Sequence, residues 1–320
     1  MDPELQEKYS RQSRMLADRV KKRYQHLRKR FNRHHIEVFR LYDWDIPEIR
    51  AVVDWYAGHL VIGEYVRKQS TPEWLPMMGA AVAEALNLPH DRIHLKERFY
   101  GRAEGGRYKR LDTTGRMIVV SENDLKFYVN PYDFVDTGLF GDHRITRGMV
   151  RRTAEGKDVL NLFCYTGSFS CYAARGGARS TLSVDRSRTA VAWARRNFEL
   201  NGIGGPEHRL IQADVFDFLT EAKDQSQRFD LAVVDPPSFY TRRSSEAHFD
   251  VVIDHPGLLD AVAELMRPRG VIYFSTNHQN FIPLMEEMNF AEVQEITDLT
   301  IPEDFQRKRT PIHRTWRIRI

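Results

Sequence analysis

The chain has 320 residues, 42% of them hydrophobic, with 48 Lys and Arg against 44 Asp and Glu, a balance that suits a globular protein large enough for two domains. Its cysteines, Cys164 and Cys171, form neither a disulfide framework nor a zinc-binding pattern, and no run approaches the ~20 apolar residues of a membrane span. These features exclude a disulfide scaffold and a membrane-spanning helix, and predict a soluble, cytoplasmic protein with no membrane partner and no metal.

The charge is unevenly placed: residues 1–40 hold twelve Lys and Arg against five Asp and Glu. From Glu4 to Asn32 the residues Leu16, Val20, Tyr24, Leu27 and Phe31 recur at helical spacing on one stripe. Arg19, Lys21, Lys22, Arg23, Arg28, Lys29 and Arg30 cover the other faces, so the stripe is expected to pack on the body while the cations face a polyanion, or simply water. Ile36–Tyr42 reads as a strand, and Arg50–Tyr56 with His59–Arg67 as a hairpin turned at Ala57-Gly58. Pro72–Leu86 reads as a helix with proline near its start. Short strands follow near 92–99, 107–111, 116–121 and 125–130, which together predict a small α+β domain. Arg98, Arg102, Arg107, Lys109 and Arg110, interleaved with Phe99, Tyr100 and Tyr108 around glycines, suit RNA: cations meet phosphates while rings stack on unpaired bases. An exposed hairpin with snorkelling side chains has a similar composition.

From residue 158 strands and helices alternate, the pattern of a parallel sheet. Val159–Phe163, Thr181–Val184, His208–Gln212, Phe229–Val234 and Val271–Ser275 are the strands. Helices are expected at 168–175, 187–201, 214–222, 248–266 and 279–288. Ala291–Thr297 and His313–Ile320 then form a closing antiparallel pair. The domains so predicted are a basic helix at 1–35, an α+β RNA-engaging domain at 36–131, a linker at 132–157 and a catalytic α/β domain at 158–320.

The strand ends carry the chemistry, because ligands of open α/β sheets collect there. The first strand leads into Asn161-Leu162-Phe163-Cys164-Tyr165-Thr166-Gly167-Ser168, a turn of small residues that lets backbone approach a ligand. Asp185, before Arg186, ends the second strand where an acid accepts hydrogen bonds from ribose. Asp214, before Val215, ends the third, although alone it would be read as a helix cap. Asp235 ends the fourth and opens Asp235-Pro236-Pro237-Ser238-Phe239, whose prolines fix φ and donate no N–H. An acid and carbonyls beside an aromatic ring suit a nucleobase; a proline-rich turn is the other reading of the pentapeptide alone. A dinucleotide needs a glycine-rich turn for its pyrophosphate, whereas this turn has only Gly167. S-adenosylmethionine, an adenosine cofactor without phosphates, fits better.

At these residues the chain resembles the class I methyltransferases of the large-subunit ribosomal RNA group, above all the RlmK type, a guanine-N7 methyltransferase that forms the C-terminal half of the fused RlmKL enzyme. The motifs NLFCYTGSFS, VDRS, IQADV and VVDPPSF carry the likeness, and Val38–Asp43, Asp45–Glu48, Ile93–Lys96, Asp136–Arg144 and Pro302–Phe305 extend it over nearly the whole chain. It implies a Rossmann-like fold with a seven-stranded sheet behind a smaller N-terminal α+β domain and its basic helix, and S-adenosylmethionine as cofactor. It also implies that Asn161, Phe163, Tyr165, Thr166, Gly167 and Ser168 surround the methionine, that Asp185 meets ribose and Asp214 adenine, and that Asp235 with Pro236 forms the reaction face; Pro237 and Phe239 belong to the same platform, with Phe239 placed to stack on the base. Arg144 reaches the methionine carboxylate in this reading, or pairs with Asp142. The implied partner is 23S rRNA or an assembling large subunit, with a separate methyltransferase in place of the missing fused half.

Methylation of pyrimidine C5 requires a cysteine nucleophile, but Ser238 and Thr276-Asn277-His278 occupy the loops where sibling enzymes carry one. Guanine N7 has an available lone pair and loses no proton before attack, so the site has chiefly to orient the base. Guanine N2 is the alternative target, and a non-catalytic RNA-binding assembly factor the alternative class. Arg242 and Arg243 are candidate phosphate contacts beyond the platform; His248 and His278 read as loop hydrogen bonders.

Overall fold

The computed structural model describes residues 2–99, 110–241, 248–285, 288–307 and 310–320. Two compact units divide the chain, Met1–Gly141 and Asp142–Ile320.

The first unit opens with α1 (Pro3–Arg33), started by Asp2, whose side chain accepts the Glu4 N–H. Leu16, Val20, Leu27 and Phe31 are buried along it, and Tyr24 packs on Trp55 at 4.7 Å between ring centroids. Strands β1 (Val38–Asp43), β2 (Ala51–Tyr56), β3 (His59–Tyr65) and β4 (Ile93–Arg98) form a sheet in that order, antiparallel except for the parallel β3–β4 pair. That parallel pair requires a crossover, supplied by α2 (Trp74–Leu86). The β2–β3 turn lies where the sequence puts it, with Ala57 and Gly58 both left-handed. A separate hairpin joins β5 (Ile118–Glu122) to β6 (Leu125–Val129). The expected strand at 107–111 falls mostly outside the described residues; Arg110 makes a bridge with Phe134.

The second unit begins with α3 (Arg144–Thr153), which occupies part of the segment read as a linker. Its sheet contains β7 (Asp158–Leu162), β8 (Ser180–Asp185), β9 (His208–Gln212), β10 (Phe229–Val234), β13 (Met266–Thr276), β14 (Glu292–Glu295) and β15 (Arg314–Arg319), in the order β14-β15-β13-β10-β7-β8-β9. The contiguous pairs from β13 to β9 are parallel, and β15 is antiparallel to both β13 and β14. Helices α4 (Ser168–Arg175), α5 (Arg188–Leu200), α6 (Val215–Asp224) and α7 (Val251–Ala263) alternate with the strands, and a short α8 (Thr297–Thr300) precedes β15. Strands β7 and β10 are buried on both faces because helices cover both sides, which accounts for the continuous apolar run Leu231–Val234. Helices α3 and α4 meet closely at Gly176, where a Cβ would lie 2.2 Å from the Arg151 carbonyl oxygen.

Two helix expectations are corrected. Residues 248–250 form β12 (His248–Asp250), paired with β11 (Phe239–Thr241), and the helix starts at Val251 because the Asp250 side chain accepts the Val252 N–H. No helix runs through 279–284: Pro283 lacks an N–H, and the Leu284 N–H is bound at 3.1 Å by the side chain of buried His255.

At the N-terminal ends of the parallel strands, Asp158 and Asp230 bind Arg179 and Arg267 around an open hollow of about 680 Å³. Its two central arginines are thereby committed to carboxylates, and the hollow lies at the opposite end of β7 and β10 from the residues described next.

Candidate active site

The sheet order reverses beside β7: the chain runs outward through β8 and β9, then returns to lay β10 on the other side of β7. The carboxyl ends of β7 and β10 therefore flank a topological switch point, the crevice in which such sheets hold ligands. The turn after β7 and the Asp235 loop after β10 both open there.

Three residues of the β7–α4 turn are left-handed: Phe163 at φ 54°, Tyr165 at φ 49° and Gly167 at φ 75°. For the two aromatic residues this backbone costs on the order of 1–3 kcal/mol each, and such strain collects at ligand sites. At Gly167 a Cβ would also stand 3.0 Å from the Ala194 Cβ and 3.1 Å from the Phe198 ring, so α4 packs against α5 only with glycine here. Asp185 braces the turn from β8. Its Oδ2 accepts the Tyr165 N–H at 2.9 Å and its Oδ1 the Ser187 N–H at 2.8 Å. Burial raises the pKa of this carboxyl, and the two backbone N–H donors oppose that shift. Asn161 and Thr166 lie beneath the turn rather than on its surface: Asn161 Nδ2 donates to Ser170 Oγ (2.8 Å), and the Thr166 carbonyl accepts from Asn197 (2.9 Å). Phe163 packs edge-on against Tyr240, Tyr165 tilts against Trp193, and Ser168 is the first residue of α4.

Asp214 caps α6 through the Phe216 N–H at 3.0 Å, and Val215 is buried behind it. Arg186 leans over the Tyr240 ring and donates to the Thr241 carbonyl at 2.5 Å, tying the end of β8 to β11.

Asp235 is held from one side by Ser275 of β13, whose hydroxyl donates to Oδ1 at 2.6 Å. Its Oδ2 faces His143 Nε2 at 3.7 Å, and the side chain keeps 29% exposure. Pro236 is buried while Pro237 and Phe239 are half-buried, and Ser238 donates to Asn277 Oδ1 at 3.1 Å. The loop closes where the Ser238 carbonyl accepts the Val251 N–H. His278 sets its ring against Phe239 with 5.7 Å between centroids, and its Nδ1 has no hydrogen-bond partner among the described residues; His248, on β12 rather than in a loop, hydrogen-bonds Thr241.

The residues flanking α3 complete the site. Asp142 Oδ2 lies 3.0 Å from His313 Nδ1, and Arg144 pairs with Asp304 at 2.5 Å. His143 and His313 stack in parallel, with 4.3 Å between centroids. Ligand atoms of Asp142, His143 and His313 lie within 4.8 Å of one another. A metal bound in the plane of one stacked ring, however, sits outside the plane of the other, so the stack suits hydrogen bonding better than coordination. His143, His313 and Ser275 were not legible as site residues, because only the fold brings 143, 235, 275 and 313 together.

Of the predicted cations on α1, Arg19, Lys21, Lys22, Arg28 and Lys29 are exposed and Arg23 and Arg30 half-exposed; Arg19 also pairs with Asp45. Arg98 is folded toward Asp136 at 3.8 Å, and Arg110 is exposed beside Phe134. Arg102, Arg107, Lys109, Arg242 and Arg243 lie outside the described residues.

A turn with a single glycine, followed by strand-end acids, fits a phosphate-free adenosine cofactor carrying a cationic sulfonium. The comparisons agree. The family of S-adenosylmethionine-dependent methyltransferases matches residues 53–294. The ribosomal RNA large subunit methyltransferase K of Neisseria meningitidis serogroup B is 42% identical over 311 residues, 95% of this chain and 86% of that protein. SMU.776, solved with SAH, has a TM-score of 0.77 at 23% identity, covering 97% of this chain and 82% of its own. A Streptococcus mutans structure described as SAM-dependent gives 0.74 at 23% identity, with 97% and 81% covered. Both structural likenesses bear on the fold, and the matched family with its sequence relative bears on the chemistry: the chain belongs to the S-adenosylmethionine-dependent methyltransferases.

Proposed function

We propose that the protein transfers the methyl group of S-adenosylmethionine to N7 of a guanine in 23S ribosomal RNA. The carrying observation is the Asp235 loop: a carboxylate fixed by Ser275 at 2.6 Å, a half-buried Phe239, and no thiol among the loop residues. Both cysteines are buried, and burial raises their thiol pKa values, so neither supplies a thiolate for attack at C5 of a pyrimidine. Guanine N7 needs no base and no covalent partner. Orientation alone contributes ~7–11 kcal/mol in favourable cases, and a carboxylate accepting N–H groups from the guanine edge beside a stacking ring supplies it.

In this reading the β7–α4 turn receives the methionine, Asp185 the ribose and Asp214 the adenine, with Asp142, Arg144, Arg186 and Val215 around them. Asp235, Pro236, Pro237 and Phe239 face the base, which must leave its helix to enter. The exposed cations of α1, with Arg98, Arg110 and the cations at 102–109 and 242–243, bind the rRNA backbone, and the substrate is free 23S rRNA or an assembling subunit. The relative named ribosomal RNA large subunit methyltransferase K supports this substrate class.

Mass spectrometry of nuclease-digested rRNA from cells with and without the protein tests the reading. Loss of one 7-methylguanosine in the deletion supports it. Loss of N2-methylguanosine moves the target to the exocyclic amine, and unchanged methylation assigns the protein to subunit assembly instead.

A further inference from the structure

His143 is buried at 5% exposure, one residue before α3, and is packed by two rings: His313 stacks on it, and Phe169 meets it at a steep angle with 5.7 Å between centroids. Its Nδ1 is enclosed with no hydrogen-bond partner among the described residues. Its Nε2 faces two carboxylates, Asp235 Oδ2 at 3.7 Å and Asp142 Oδ2 at 3.9 Å. Burial, and then His313 beside it, push its pKa down, so the ring is neutral and carries one proton. A buried N–H without an acceptor is rarer and costlier than an unpaired lone pair. The proton therefore sits on Nε2, toward the carboxylates.

Asp142 is already bound by His313 at 3.0 Å, and Asp235 Oδ1 by Ser275 at 2.6 Å. The Asp235 oxygen left facing His143 is the one with no short bond from this pair of neighbours, on a side chain that stays partly exposed. We propose that His143 is a positioning residue: its Nε2–H and the Ser275 hydroxyl clamp the two oxygens of Asp235 from opposite sides and aim the carboxylate at the incoming base. A separation of 3.7 Å is longer than a hydrogen bond, and contacts of this kind tighten when the substrate complex forms. The stack on His313 fixes the ring plane, so the imidazole acts as a rigid donor. The proposal rests on the assignment of Asp235 to the base-facing wall.

The test is single-turnover transfer of tritiated methyl groups to 23S rRNA from cells lacking the protein. It compares the wild-type chain with His143→Phe, His143→Gln, His143→Asn and Asp235→Asn. Phenylalanine keeps the stack and removes the donor; the transfer rate is expected to fall on the order of 10²-fold, with S-adenosylmethionine affinity within about threefold. The glutamine amide nitrogen reaches the place of Nε2 and is expected to restore at least a tenth of the rate, whereas asparagine, reaching only the place of Nδ1, is not. A purely structural role would lower melting temperature equally in glutamine and asparagine variants without separating their rates. Equal rates for those two variants, or a wild-type rate for His143→Phe, overturn the proposal; the glutamine–asparagine comparison decides it even if His143→Phe does not fold. Wild-type turnover by Asp235→Asn would instead remove Asp235 from the site, a separate failure.

Discussion

Asp185 accepts the backbone N–H of Tyr165 at 2.9 Å, so the acid that ends β8 also sets the shape of the turn that ends β7. One side chain thus fixes two neighbouring strand ends of the candidate site. Asp185→Asn keeps one acceptor and turns an NH₂ against the other backbone donor. A hydrogen bond to a charged group is worth about 1.5–3 kcal/mol, so calorimetry should show S-adenosylmethionine affinity reduced by roughly 10–100-fold. Unchanged affinity would remove Asp185 from cofactor binding.

Asp235→Ala should abolish methyl transfer while far-UV circular dichroism and S-adenosylmethionine binding stay close to wild type. Ser275→Ala, which deletes only the 2.6 Å bond to Oδ1, should lower turnover by a smaller factor, on the order of tenfold. If Ser275→Ala proved the more damaging change, the hydroxyl rather than the carboxylate would be the group that matters.

Alanine at Lys21, Lys22, Arg28 and Lys29 together should weaken rRNA binding uniformly across sequences. The slope of log affinity against log salt should also become shallower, by about 0.7–0.9 for each phosphate that is no longer neutralised. These side chains are exposed and the buried stripe of α1 lies on another face, so thermal stability should hardly change. A salt slope equal to wild type would show the helix face to be merely solvated.

Asp158 is held well below the usual carboxylate range, chiefly by the hydrogen bonds from Arg179, with Ser180 and Arg267 adding to them. A depressed folded-state pKa stabilises the fold above the unfolded value of ~3.9 and loses that effect as pH falls through the folded value. The urea midpoint of Asp158→Asn should therefore lie below wild type at pH 7, with the gap narrowing as the pH drops below about 4. A gap independent of pH would mean that the ion pairs are screened to irrelevance.

Gly176→Ala drives a methyl group to within 2.2 Å of the Arg151 carbonyl oxygen, and a backbone atom cannot swing away. Overpacking of this kind costs ~1–3 kcal/mol, and a domain of this size melts roughly 2–4 °C lower for each of them. Scanning calorimetry checks the shift.

The parallel strands were legible because two-sided burial writes itself as unbroken apolar runs, as in Leu231–Val234, and the strand-end acids follow from the runs. Helix α3 was harder to see. Its last turn is basic, and its buried Arg147 lies over the Phe169 and Tyr172 rings, a contact that no periodicity records. The segment from 279 was misread as a helix because its apolar residues Phe281 and Met285 are four apart, yet they reach the core from an irregular backbone held by His255. His143 stayed hidden for the same reason: its meaning depends on His313 and Asp235, both far along the chain.

The return of β10 to the other side of β7 also has a temporal side. A chain made or folded only through Asp214 already contains the strained turn and the acids that end β8 and β9, all from one continuous stretch. It lacks Asp235, which arrives only when β10 docks beside β7 and β13 brings Ser275 to it. On the proposed assignment, the adenosine side of the site comes from one continuous stretch of chain, whereas its reacting side is assembled from strands far apart in sequence.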